Sequence, residues 1–158
     1  MDFLTDEFGM NILTENRTSI YFDTHFPKTI FVKHKRIDME EKILKCVVVR
    51  NTIVLLLDHC DLHLSTHSWD KTTPFDGENL YALDTDGNIL WKSKDLIADS
   101  KAAFDILYPA SEKDPEDNLV WGQLSPEIDY CVCANVYAQY YLIDLTNKRL
   151  LNKKTLKC

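Results

Sequence analysis

Positive charge is what this chain has little of. Its 158 residues hold 18 Lys+Arg against 25 Asp+Glu, a formal balance of −7, which speaks against the basic footprint that a phosphate backbone demands and against attraction to anionic lipid. Glycine is scarce as well: there are four, and none lies in a run that could cradle a phosphate. No apolar run approaches the ~20 residues of a membrane span, and the opening MDFLTDEFGM has acids where a signal peptide needs bases. A cytoplasmic protein with neither nucleic acid nor membrane as partner is therefore expected. Cys46, Cys60, Cys131, Cys133 and Cys158 are odd in number and lack CxxC spacing, so the expectation is free thiols in a reducing compartment. HExxH, GxSxG and a Cys-His finger spacing are all missing, so no catalytic residue and no cofactor are assigned and an enzyme is not expected.

What is present is globular in character. Hydrophobic content of 45%, aromatic content of 11% and charged content of 27% are near the averages for folded domains, and the length suits a single domain over 1–158.

Short β-branched and aromatic runs bounded by polar breaks, at Ser19 to Phe22 and Thr29 to Lys33, read as strands. Lys45 to Asp58 (KCVVVRNTIVLLLD) reads as a hairpin turning at Arg50-Asn51. Within it, apolar residues occupy both parities of Ile53 to Leu57, which implies burial on both faces; periodicity alone also fits a short buried helix, and the β-branched content selects strand. Asp84-Thr85-Asp86-Gly87-Asn88 between Leu80 to Leu83 and Ile89 to Trp91 signals a second hairpin, because Asp-Gly supplies the positive φ such a turn needs. The pattern recurs farther on, with Tyr141, Asp144, Asn147 and Leu150 standing where Tyr81, Asp84, Gly87 and Leu90 stand. Asn147 takes the turn position there, as a residue that tolerates left-handed geometry. Leu119 to Gln123 and Ile128 to Val136 are further strands, and in the latter Cys131 and Cys133 share one face. Ile37 to Leu44 and Lys94 to Leu107 are the two short helix candidates. The fold expected is mainly β, an antiparallel β-sandwich or blade-like β-sheets, with about nine or ten strands and one or two short helices.

Asn79 to Lys92 (NLYALDTDGNILWK) resembles the blade repeat of quinoprotein-type β-propellers, with its Leu-Tyr-Ala-Leu-Asp strand, Gly turn and Leu-Trp ending. A complete propeller needs at least about four blades of about 40 residues, so blade-like hairpins in another β architecture are expected. Taken together, Asp84 to Trp91, the acidic stretch Glu112 to Asp117 and the closing Tyr141 to Asn147 resemble small acidic bacterial immunity proteins of contact-dependent growth inhibition. That resemblance implies a non-enzymatic inhibitor of a cognate toxin domain, often a nuclease, acting by occluding the toxin's active site or an adjoining surface.

Charge placement points to binding independently. Asp58 to Asp129 holds 16 acids and 5 bases, the rest of the chain 9 and 13. Carboxylates gathered on loops can meet the Lys and Arg with which a nuclease holds phosphate, and can steer its approach. Two patches combine such charge with aromatic anchors: Trp69, Asp70, Phe75, Asp76 and Glu78, and Asp114, Glu116, Asp117 and Trp121. Acidic loops that only keep a protein soluble are the simpler explanation of either patch. The competing functional reading is a metal-binding protein or small metal-dependent enzyme centred on Asp58, His59, His63 and His67. The three histidines recur every four residues and would share a helix face, whereas on a strand His59, Asp61 and His63 would do so.

Overall fold

The computed structural model describes residues 3–5, 9–23, 25–58, 79–98, 102–110, 121–122 and 124–155. Strands β1 (Phe3–Thr5), β2 (Gly9–Leu13), β3 (Ser19–Asp23), β4 (Thr29–Val32) and β5 (Lys35–Asp38) make the first sheet. The second consists of β6 (Ile43–Val49), β7 (Thr52–Leu57), β8 (Leu80–Leu83) and β9 (Ile89–Lys92), and is followed by a single helical turn, α1 (Ser93–Leu96). The third holds β10 (Phe104–Pro109), β11 (Tyr130–Asn135), β12 (Gln139–Asp144) and β13 (Arg149–Thr155). Every neighbouring pair is antiparallel and spatial order equals chain order, so each sheet is a meander.

The sheets stack with the second in the middle, and strand parity shows why. On β7, Ile53, Leu55 and Leu57 pack with Ile12, Ile20, Ile30 and Val32 of the first sheet. Val54 and Leu56, pointing the other way, pack with Leu107, Cys131, Cys133 and Tyr141 of the third. β8 divides likewise, Tyr81 and Leu83 toward the first sheet and Leu80 and Ala82 toward the third. A strand covered on both faces must be apolar at every position, which is what the run Ile53 to Leu57 displays. Each such Leu or Ile contributes roughly 1.5–3 kcal/mol by leaving water.

The two similar hairpins occupy equivalent places, as third and fourth strands of the second and third sheets. Tyr81 faces the preceding sheet with Lys92 Nζ 5.2 Å above its ring, and Tyr141 does the same with Lys153 Nζ at 5.6 Å. The blade-like description thus extends from the hairpins to whole sheets. In the first hairpin Gly87 takes φ +83°, so the backbone favours glycine, and an added Cβ would come within 2.6 Å of Ile37 Cδ1 on β5 and push that side-chain tip aside. In the second, Lys148 rather than Asn147 takes the positive φ, at 55°. Asn147 instead uses its backbone N and side-chain amide as donors to the Asp144 carboxylate, at 2.9 and 2.8 Å.

Several expectations need correction. Thirteen strands are present among the described residues, more than nine or ten. Ile37 to Leu44 is no helix: it spans the end of β5, a four-residue link whose Met39 is buried in the core, and the start of β6. Lys94 to Leu107 combines the last residues of α1 with the first four of β10. The apolar spacing there had joined two elements across a break. Trp121 and Gly122, expected in a strand over Leu119 to Gln123, lie in an irregular segment; 119, 120 and 123 lie outside the described residues. Cys46, Cys131 and Cys133 are buried free thiols, and burial pushes Cys46 and Cys131 up to about 12, which leaves them protonated and unreactive. No helix among the described residues is long and apolar enough to cross a membrane.

Candidate functional site

Most connections inside the second and third sheets are tight, running from two residues at Arg50-Asn51 to five at 84–88. Two are not. Residues 58–79 join β7 to β8 and 110–129 join β10 to β11, far beyond the two to five residues usual for a hairpin. These insertions hold 11 of the 25 acidic residues and 2 of the 18 basic ones, leaving 14 acids against 16 bases on the rest of the chain. The negative charge of the protein therefore belongs to two insertions on a nearly neutral scaffold.

The insertions are rooted at opposite ends of the stack. β7 ends and β8 begins beside the start of β10, at a junction built on Asn79. That side chain is 1% exposed. Its Nδ2 donates to Leu57 O (3.0 Å) and Phe104 O (2.8 Å), and its Oδ1 accepts from Phe104 N (3.1 Å). One neutral amide thus pegs the second sheet to the third while satisfying buried backbone groups, as burial requires.

The other root lies beside the Arg50-Asn51 turn. Arg50 adopts φ 52° there, while Asn51 does not take the positive φ. Its carbonyl accepts from Glu15 N (3.0 Å), which ties in the first sheet. Its guanidinium Nη2 donates to Pro126 O (2.9 Å), and Nε lies 3.1 Å from Asp129 Oδ1 and 3.8 Å from Glu15 Oε2. A single cation is shared by two carboxylates and bridges all three layers. Burial holds Asp129 above its ordinary pKa, with Arg50 opposing the shift and the nearby charges of Glu15 and Asp144 adding to it.

A cavity of about 580 Å³ opens beneath this cluster, between Val48 and Val49 of the second sheet, Pro109 of the third and the segment carrying Leu124 and Ile128. Ser125 and Asp129 also line it. The same segment shields the outer face of the third sheet, where Trp121, Leu124 and Ile128 pack on Tyr108, Tyr130, Val132 and Leu142. Trp121 is half-buried, with Lys154 Nζ 5.3 Å over its ring.

Of the residues expected to meet a partner, Trp121 alone is described. Trp69, Asp70, Phe75, Asp76, Glu78, Asp114, Glu116 and Asp117 lie outside the described residues, as do His59, His63 and His67 of the metal-centred alternative, of which Asp58 is described. The described residues that flank these stretches are Asp58 and Asn79 on one side, and Ala110 and Trp121 on the other. Among the described residues no group of three His, Cys, Asp or Glu could hold a metal ion. Sequence reasoning singled out neither the partners of Arg50 nor those of Asn79, whose bonds span distant parts of the chain. Comparison with protein-family models, curated proteins and solved structures finds no match for this chain.

Proposed function

We propose that this protein is a non-enzymatic, immunity-type inhibitor that binds and neutralises a basic toxin domain of the nuclease type, covering the toxin's active site or a surface beside it. The observation that carries the reading is the charge division: a nearly neutral stack of meanders bears two long acidic insertions, one of them bordering a cavity. Acids concentrated in the two long connections rather than in the thirteen described strands leave the rest of the chain nearly balanced in charge, which limits self-repulsion within the scaffold. A nuclease presents Lys and Arg for phosphate, and complementary carboxylates would compete for the same groups while accelerating encounter. The cytoplasm is the compartment in which such a toxin would be met.

The test is co-expression with the reading frame directly upstream. The proposal expects that product to stop growth of cells lacking this protein and growth to return when the protein is supplied. A product harmless in its absence removes the basis of the reading.

A further inference from the structure

The cavity at the Arg50 end has a mixed wall whose polar groups keep unused hydrogen-bonding capacity. Its lining carries one charge of each sign, Arg50 and Asp129, beside the hydroxyls of Ser125 and Tyr130 and an apolar part that includes Pro109, Leu124 and Ile128. The Asp129 side chain is 17% exposed, and among the described residues its one cationic partner is Arg50 Nε at 3.1 Å. An ionised carboxylate has room for about four hydrogen bonds, so this one can accept more. Arg50 is also only partly engaged: Nη2 donates to Pro126 O and Nε faces Asp129 and Glu15, while Nη1 meets no partner among the described residues. Ser125 Oγ accepts from Glu127 N, and the Tyr130 hydroxyl accepts from Ser125 N, which leaves both hydroxyl protons to be donated. Asp129 and Glu15 would repel a simple anion, and Arg50 a simple cation. A molecule that bears both charges suits both walls.

We infer that this cavity binds a zwitterionic α-amino acid with an apolar side chain. Its ammonium group pairs with Asp129, its carboxylate takes Arg50 Nη1 and the hydroxyls of Ser125 and Tyr130, and its side chain lies against Pro109, Leu124 and Ile128. The site stands apart from the toxin binding proposed above. A volume of about 580 Å³ lies in the roughly 300–1,000 Å³ range of small-molecule sites, which combine apolar walls with a few convergent polar groups. One amino acid fits there, an aromatic one included. Asp129 can serve a ligand without loss of the fold, because its backbone is held separately: N donates to Thr146 Oγ1 and O accepts from Leu145 N.

The probe is L-phenylalanine titrated into the whole protein, followed by amide chemical shifts. Saturable shifts are expected at Val49, Ser125, Ile128, Asp129 and Tyr130. Phenethylamine, which lacks the carboxylate, and hydrocinnamate, which lacks the ammonium group, should each bind at least about tenfold more weakly. Asp129→Asn should weaken phenylalanine by about tenfold, yet hydrocinnamate should bind this variant at least as well as the wild type, since the charge that repelled it is gone. A purely structural role for Asp129 would weaken both ligands alike. Ser125→Trp, which fills the cavity, should abolish saturation while shifts of the first sheet remain those of the folded protein. Binding of either analogue equal to that of phenylalanine, parallel losses of phenylalanine and hydrocinnamate in Asp129→Asn, shifts confined to other surfaces, or no saturable shifts with phenylalanine would overturn the assignment.

Discussion

The two roots of the acidic insertions solve one problem in opposite ways. At the Asn79 end a neutral amide, fully enclosed, closes the junction of the second and third sheets with three hydrogen bonds. At the Arg50 end a half-exposed guanidinium spans three layers through charge and leaves a cavity beneath it. A buried neutral network is unaffected by salt and costly to break, whereas a partly exposed ion pair is worth little and is screened. The contrast separates the two ends by what holds them, a buried neutral network at one and a half-exposed, screened ion pair at the other.

The largest expected effect tests the structural end. Asn79→Leu keeps the volume but strips Phe104 N and two carbonyls of their partner, and should destabilise the protein by about 2–4 kcal/mol in urea unfolding. A loss equal to that of an exposed polar residue would break the comparison.

Acid should act next, and on the Arg50 end. Asp84 and Asp144 shape the two similar turns there. Both carboxyls sit below their ordinary pKa: burial acts to raise them, but the hydrogen bonds they accept from the turn backbone and from Asn88 or Asn147 prevail, with Arg149 assisting at Asp144. Folding thus lowers these values from 3.8. The stabilisation is in place above the unfolded-state pKa and is lost as pH falls through the folded value. Asp129, raised in the folded state, opposes this weakly. Urea unfolding at a series of pH values below 5 should show falling stability, and the slope should flatten in an Asp84→Asn, Asp144→Asn double variant.

Arg50→Met should give the smallest effect on stability, about 1 kcal/mol at low salt and less at high salt. The salt dependence is the informative part. A loss that persists at high salt would place Arg50 in the same class as Asn79.

The sequence displayed some of this and hid the rest for physical reasons. Hairpins β6–β7, β8–β9 and β12–β13 were legible because local chemistry, an apolar run or an Asp-anchored turn, determines them. β5 was not, since Lys-Arg-Ile-Asp turns only Ile37 inward, and its pairing with β4 supplies what its side chains do not signal. Periodicity measured across the break after α1 mistook two elements for one helix. The acidic patches were visible as charge, but their attachment to opposite ends of the stack depends on strand direction and on Arg50 and Asn79, which no local pattern reveals.

Division of labour between scaffold and insertions is tested most directly by stopped-flow association with the product of the upstream reading frame. Asp114→Lys with Asp117→Lys, and Asp70→Lys with Glu78→Lys, should each slow association by about tenfold at low salt. Each should also flatten its salt dependence while the urea midpoint stays unchanged. Wild-type association rates in both double variants would contradict the claim that the acidic insertions recognise the partner.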